Sequence, residues 1–275
     1  MSNSEHIGIG IVTHNRKESY KRLLDSIKTC DIIDYVITVK DGNINYNDAE
    51  PKKICNSLII NYDKSQVLYR YFQNDKQKCI AYNKNLALKE LMSLSCDHIF
   101  IIEDDILIKN VNVFKEYIDT AKAFNLEHLN FCRAFDAKIP NNYQQPFLSV
   151  QNNNKRIELF RKLNGCFSYF SLNALKKVGL YDENYINVIE HCEHTYRMSL
   201  FGFYTPFYSF ADIANSRDFI EDTGIQTSIQ HDITYTNNMK NAYMHFLKTY
   251  GKKLTDVKIP TQEEIFYFLK NKIMP

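Results

Sequence analysis

Tryptophan is absent from this 275-residue chain, and so are CxxC pairs, basic runs and long apolar stretches. The seven cysteines, at 30, 55, 79, 96, 132, 166 and 192, stand far apart, which argues against a zinc knuckle or a disulfide framework and suits reduced thiols in cytosol. The 34 basic and 32 acidic residues are scattered and sum to +2, so nothing tracks a phosphate backbone and nucleic acid is not an expected partner. No apolar run reaches the roughly 20 residues that span a bilayer. Met1 to His6 is polar and lacks the pattern of a secretory leader. The expected location is the cytoplasm, with any membrane role peripheral, at the inner face. There is no Walker motif, nucleophile elbow, HExxH helix or internal repeat. Gly8-Ile9-Gly10 opens like a dinucleotide fingerprint, but it sits inside an apolar strand with Thr13 in the place of the third glycine.

What is present is an ordinary globular composition, 44% apolar and 24% charged, long enough for one large domain or two intimately packed halves. Most of the 19 Tyr and 18 Phe must be core, while some tyrosines can line a polar cleft. Apolar runs alternate with helical spacing. Strands are predicted at Ile7 to Val12, Tyr35 to Val39, Leu58 to Ile60, Val67 to Phe72, His98 to Ile102, Leu129 to Cys132 and Cys166 to Ser171. Helices are predicted over about 16–29 (Tyr20, Leu23, Leu24, Ile27), around Ala87, Leu88, Leu91 and Leu94, around Phe114, Tyr117, Ile118 and Ala121, and over Glu190 to Phe201. This alternation implies an α/β fold whose mainly parallel central sheet is flanked by helices. Residues 136–156, rich in Asn, Gln and Pro, read as a long loop able to order over ligand. From about 226 a helical extension follows, with Met239, Ala242, Tyr243, Phe246 and Tyr250 on one face, and Thr261 and Glu264 form a capping box for its last helix.

Chemistry concentrates where strands end. Glu103-Asp104-Asp105 follow the apolar run Ile99 to Ile102, so three mutually repelling carboxylates stand where a buried strand opens to solvent. Alternation along an extended chain would put Glu103 and Asp105 on one side, where a divalent cation could bridge them to a diphosphate; hard oxygen ligands suit Mg or Mn. A solvated loop start is the alternative. Thr13-His14-Asn15-Arg16 and Asp41-Gly42 also lie at carboxyl edges of predicted strands, where ligands of open α/β sheets gather.

Read together, these segments resemble glycosyltransferase family two. Ile9 to Arg16 with Leu23, Leu24, Ser26 and Ile27 is similar to its opening strand and helix, and Val36 to Gly42 to its second strand. Asn83-Lys84-Asn85-Leu86-Ala87 is similar to its A-R-N-x-G segment, with Lys84 in the arginine slot, and Glu103-Asp104-Asp105 stands in place of its DxD motif. Gly165-Cys166-Phe167, Val178 to Glu183 and Glu190-His191-Cys192-Glu193 with Arg197 and Gly202 resemble its acceptor-side segments, over roughly residues 7–205 in all. The resemblance implies a GT-A fold with a nucleotide-sugar half (1–110), an acceptor half (111–225) and the helical extension (226–275). It implies donor contacts from Thr13, His14, Asn15, Arg16, Asp41, Lys84, Asn85 and Asp104, acceptor contacts from Gly165 and Arg197, and metal ligands Glu103, Asp105 and a late histidine, His231. The bland reading of His231, a solvent-exposed histidine at a helix start, outweighs the ligand one. His191 replaces the family's usual catalytic Asp, so the base is His191, Glu190 or Glu193. A neutral imidazole is a competent base near pH 7.

The implied activity is metal-dependent, inverting transfer of a sugar from a nucleotide diphosphate donor, a UDP-sugar first, to a glycan hydroxyl. The Asn, Lys and Ile content points to a bacterial setting of surface polysaccharide synthesis. A sugar nucleotidyltransferase and a non-catalytic glycan- or nucleotide-binding module are the alternatives. The former usually opens with a glycine-rich loop, and Thr13 to Lys17 contains no glycine.

Overall fold

Strand β1 (Ile7–Thr13) is buried at every position, as a strand covered on both faces must be. The computed structural model describes residues 5–42, 58–62, 65–74, 76–133, 143–223 and 234–273. After β1 come α1 (Lys17–Ile27), β2 (Tyr35–Lys40), the antiparallel pair β3 (Leu58–Tyr62) and β4 (Ser65–Gln73), α2 (Ile80–Ser93), β5 (His98–Glu103), β6 (Ile106–Ile108), α3 (Val113–Phe124) and β7 (His128–Asn130). The chain continues through β8 (Leu148–Asn152), β9 (Lys155–Phe160), β10 (Phe167–Ser171), α4 (Leu172–Val178), α5 (Glu190–Leu200), β11 (Phe210–Ile213), β12 (Ile220–Asp222), α6 (Tyr235–Tyr250) and α7 (Gln262–Ile273).

The main sheet has seven strands in the order β3-β4-β2-β1-β5-β10-β7. Its centre, β4-β2-β1-β5, is parallel, while β3 and β10 run antiparallel to their neighbours. From β1 the chain builds outward through β2 and β4, then crosses to the other side of β1 to lay down β5. That reversal opens a crevice at the carboxyl ends of β1 and β5, the position where such sheets take ligands.

Glycines 8 and 10 let α2 settle close on the sheet. A Cβ at Gly8 would stand 2.5 Å from Leu91 Cδ2, and one at Gly10 would stand 2.6 Å from Ile101 Cδ1 and 2.9 Å from Ala87 Cβ. On the other face, Phe100 lies 5.0 Å ring to ring from Phe114, 5.7 Å from Phe167 and 5.2 Å from Tyr169, joining β5, α3 and β10 in one aromatic core.

The expected loop at 136–156 is corrected in its second part. Residues 148–160 form the hairpin β8-β9, which pairs with β11 in a second sheet; 134–142 fall outside the described residues. Val150, Ile157 and Leu159 face the core, but the polar residues between them hide the period. A two-residue turn with Asn153 at φ 50 closes the hairpin. In the extension, α6 buries Ala242 and Phe246, and Tyr196 packs against Phe246 at 5.2 Å. The capping box holds as read: the Glu264 amide donates to Thr261 Oγ1 at 3.2 Å and the Thr261 amide to Glu264 Oε2 at 3.0 Å. Among the described residues no helix is long and apolar enough to cross a membrane.

Candidate functional site

A pocket of about 260 Å³ opens at the carboxyl ends of β1, β2 and β5. Thr13, His14 and Arg16 line it from the loop after β1, Asp41 from the end of β2, Glu103 and Asp104 from the end of β5, and Gln77, Ile80, Asn83 and Asn187 close the far wall. Asp41 is buried and oriented. Its Oδ1 accepts from the Lys78 amide at 2.7 Å and Asn74 Nδ2 at 3.2 Å, while His14 Nδ1 donates to its carbonyl at 3.2 Å. The turn at Gly42 needs φ +81, which explains the glycine. Asn74 bridges onward to Asn83 Oδ1 at 2.6 Å, and the Ile80 amide donates to Asn187 Oδ1 at 2.8 Å. Sequence reading missed Asn74, Gln77, Asn83 and Asn187. Only Asn83 lay within a segment already singled out.

The acidic triplet departs from its extended-chain expectation. β5 stops at Glu103, and Asp104-Asp105 form a turn into β6, so alternation does not carry Glu103 and Asp105 to a shared side. Glu103 turns to Lys84, with Oε1 2.8 Å from Nζ. Asp104 Oδ2 accepts from Thr13 Oγ1 at 2.7 Å and the His14 amide at 3.3 Å. Arg16 Nη1 donates to both Asp104 Oδ1 at 3.1 Å and Asp105 Oδ2 at 2.9 Å. Asn15, at φ 58, donates to His14 Nε2 and so supports the loop.

Burial, followed by the nearby Glu103 charge, raises the Asp105 carboxyl to about 7, and burial outweighs Arg16 in raising that of Asp104. Asp105 Oδ1 is buried without a partner. Among the described residues no three His, Cys, Asp or Glu side chains gather to hold a metal by themselves. A hard cation that takes one or two carboxylates and completes its shell with phosphate and water fits this donor set. His231 lies outside the described residues.

Lys84 is corrected from a donor contact to an interior tie. It is fully buried and does not line the pocket; Nζ lies 2.8 Å from Glu103 Oε1, 3.0 Å from Glu190 Oε1 and 3.1 Å from the Gly165 carbonyl. The Tyr181 ring lies 5.6 Å from the ammonium. Asn85 is likewise corrected: it clasps the 181–183 segment, donating to the Tyr181 carbonyl at 2.9 Å and Glu183 Oε1 at 2.8 Å and accepting from the Tyr181 amide at 2.9 Å.

Helix α5 starts after Ile189, whose φ of 47 strains a β-branched residue, and Glu190 is buried in the interior. His191 Nδ1 approaches Glu190 Oε1 at 3.3 Å. Burial opposes the imidazolium, but Cys192 and the Glu190 carboxylate outweigh it and raise His191 to about 10. That direction favours the imidazolium over the neutral ring that a base role for His191 requires.

Glu193 and Arg197 are tied to each other. Arg197 grips Glu193 through Nε at 2.7 Å and Nη2 at 3.0 Å, and donates to the carbonyls of Val178 at 2.8 Å and Leu180 at 2.7 Å. Tyr250 of the extension also donates to Glu193. This clamp joins α4, α5 and α6. Gly165 is explained by closeness: a Cβ there would meet His191 Cγ at 2.7 Å. Gly165→Ala is expected to push the His191 ring away and cost about 1–3 kcal/mol; chemical denaturation and the histidine NMR titration of the variant check both.

No family model matches the sequence, and no curated protein matches it. Solved structures do match. The mannosyltransferase PcManGT from Pyrobaculum calidifontis, in complex with GDP-Man and Mn2+, aligns over 99% of this chain and 70% of its own with TM-score 0.57 at 10% identity. S. aureus TarS 1-349 with UDP aligns over 98% and 81%, TM-score 0.55, 10% identity, and its UDP-GlcNAc complex over 97% and 80%, TM-score 0.53, 11% identity. At these identities the likeness is one of fold, and that fold is the GT-A-like glycosyltransferase fold.

Proposed function

We propose that this GT-A-like chain transfers a sugar from a nucleoside diphosphate donor to a hydroxyl of a glycan acceptor. The observation that carries the reading is a single pocket at the sheet's switch point, bounded by Asp41 on one wall and by the acidic turn on another. Asp41, fixed by Asn74 and the Lys78 amide, would accept hydrogen bonds from a base. The solved neighbours in complex with GDP-Man, UDP and UDP-GlcNAc support the donor class. A UDP-sugar is the first donor to test, and surface polysaccharide assembly is the proposed setting.

Glu103 and Asp105 would hold a divalent cation, Asp105 through its unpartnered Oδ1. Bound there, Mn or Mg would neutralise charge growing on the leaving diphosphate. The chain's own residues supply the rest. Glu190, whose Oε1 lies 3.3 Å from His191 Nδ1, is the proposed proton acceptor. Burial works to raise its carboxyl, but Lys84 and then His191 hold it far below the ordinary range. His191 beside it would orient the incoming hydroxyl. Attack from the face opposite the diphosphate inverts the anomeric centre in one displacement.

A panel of UDP-, GDP- and other nucleotide sugars, assayed for nucleoside diphosphate release with manganese and with chelator, tests this. Release is expected from at least one donor and should cease on chelation. Silence across the panel would overturn the reading, and pyrophosphate release would point to nucleotidyl transfer instead.

A further inference from the structure

Arg16 lines the donor pocket, yet its charge is spent inside the protein. One nitrogen, Nη1, bridges Asp104 Oδ1 at 3.1 Å and Asp105 Oδ2 at 2.9 Å. The side chains of the two carboxylates are 5% and 7% exposed, and that of Arg16 is 17% exposed. The backbone delivers it there deliberately: Asn15 takes φ 58, and Arg16, at φ −125 and ψ 61, begins α1 without capping it through its side chain. Thr13 and the His14 amide secure the other oxygen of Asp104, which leaves Asp105 Oδ1 alone without a partner.

A divalent ion drawn to Asp105 would therefore sit against a guanidinium. In a site this dehydrated, like charges at contact distance repel strongly. A nucleoside diphosphate changes the balance, since it brings several negative charges to the same wall of the pocket. Guanidinium geometry matches phosphate oxygens as well as it matches carboxylates, so Arg16 has an equivalent partner to move to.

We propose that Arg16 is a displaceable internal counter-ion. In the free protein it pairs with both Asp104 and Asp105, offsets part of their charge and keeps a lone divalent ion out. When nucleotide and ion enter together it passes to the diphosphate, which frees Asp105 to hold the ion with Glu103. Binding of the ion thereby depends on binding of the nucleotide. The inference rests on the glycosyl-transfer reading for the identity of the ligand; Arg16 touches the diphosphate of that ligand and forms no bond with the sugar.

Manganese titrations followed by electron paramagnetic resonance, with and without UDP or GDP, test it on wild type, Arg16→Met and Arg16→Gln. Wild type is expected to take up manganese weakly alone and more strongly with nucleotide. Both variants should bind manganese alone about tenfold more tightly than wild type, and nucleotide should strengthen that binding less than it does in wild type. Arg16→Gln keeps hydrogen bonding without charge and serves if the methionine variant does not fold. A folded variant that binds manganese alone no more tightly than wild type overturns the inference, and if wild type transfers sugar the glycosyl-transfer reading survives it. Absence of manganese binding in every protein, with or without nucleotide, overturns both the inference and the metal-dependent part of that reading.

Discussion

Lys84→Met is expected to abolish measurable turnover and to cost about 3–5 kcal/mol of stability, because it removes the cation from between two carboxylates. Glu190 is 4% exposed at its side chain and Glu103 is 21% exposed, so water can rescue only the second. Stability should also change its pH response. In wild type the Glu190 carboxyl lies below its ordinary 4.5, so its contribution is complete above that value and is lost as pH falls through the folded pKa. Without Lys84, only His191 opposes burial and the carboxyl moves up from its wild-type position. The variant then loses less stability than wild type as pH is lowered from 6 to 3. Urea unfolding at those two values measures both effects. Equal stability of variant and wild type at both would show that the buried triad contributes nothing.

Glu190→Gln is expected to lower kcat by about 10²–10⁴, the range associated with a positioned proton acceptor. Nucleoside diphosphate affinity should stay within about twofold, since Lys84 keeps Glu103 as a partner and the donor pocket is untouched. The pH profile separates Glu190 from its neighbour. If Glu190 accepts the proton, wild-type kcat/KM is level from pH 8 to 10, above the titration of Asp105, because the Glu190 carboxylate is ionised throughout. If His191 accepts it, the rate must climb toward the raised value of about 10, and Glu190→Gln, by removing a negative charge, must shift that climb to lower pH. A climbing profile with that shift would transfer the role to His191.

Much of the architecture was legible because periodicity is local. The buried faces of α1 and α3, the unbroken burial of β1 and the reciprocal Thr261–Glu264 cap follow from backbone geometry over a few residues. The strand ends were legible too, and they brought Thr13, Asp41, Glu103 and Asp104 to one pocket. The β8-β9 hairpin was not, since a strand with one solvated face carries polar residues at half its positions and can read as loop. Asn74, Gln77 and Asn187 gave no signal, because an isolated amide in a polar segment looks the same whether it binds ligand or water.

Sequence by itself determined where the carboxylates and cations would stand along the strands and helices. Only the tertiary structure decided which charge meets which. Lys84 finds Glu190 across 106 positions and Arg16 finds Asp105 across 89. Those pairings depend on how closely α2 settles on Gly8 and Gly10 and on a turn that ends β5 at Glu103, two residues before Asp105. Ion pairing falls steeply with distance and grows with burial, and both are properties of packed elements rather than of neighbours along the chain.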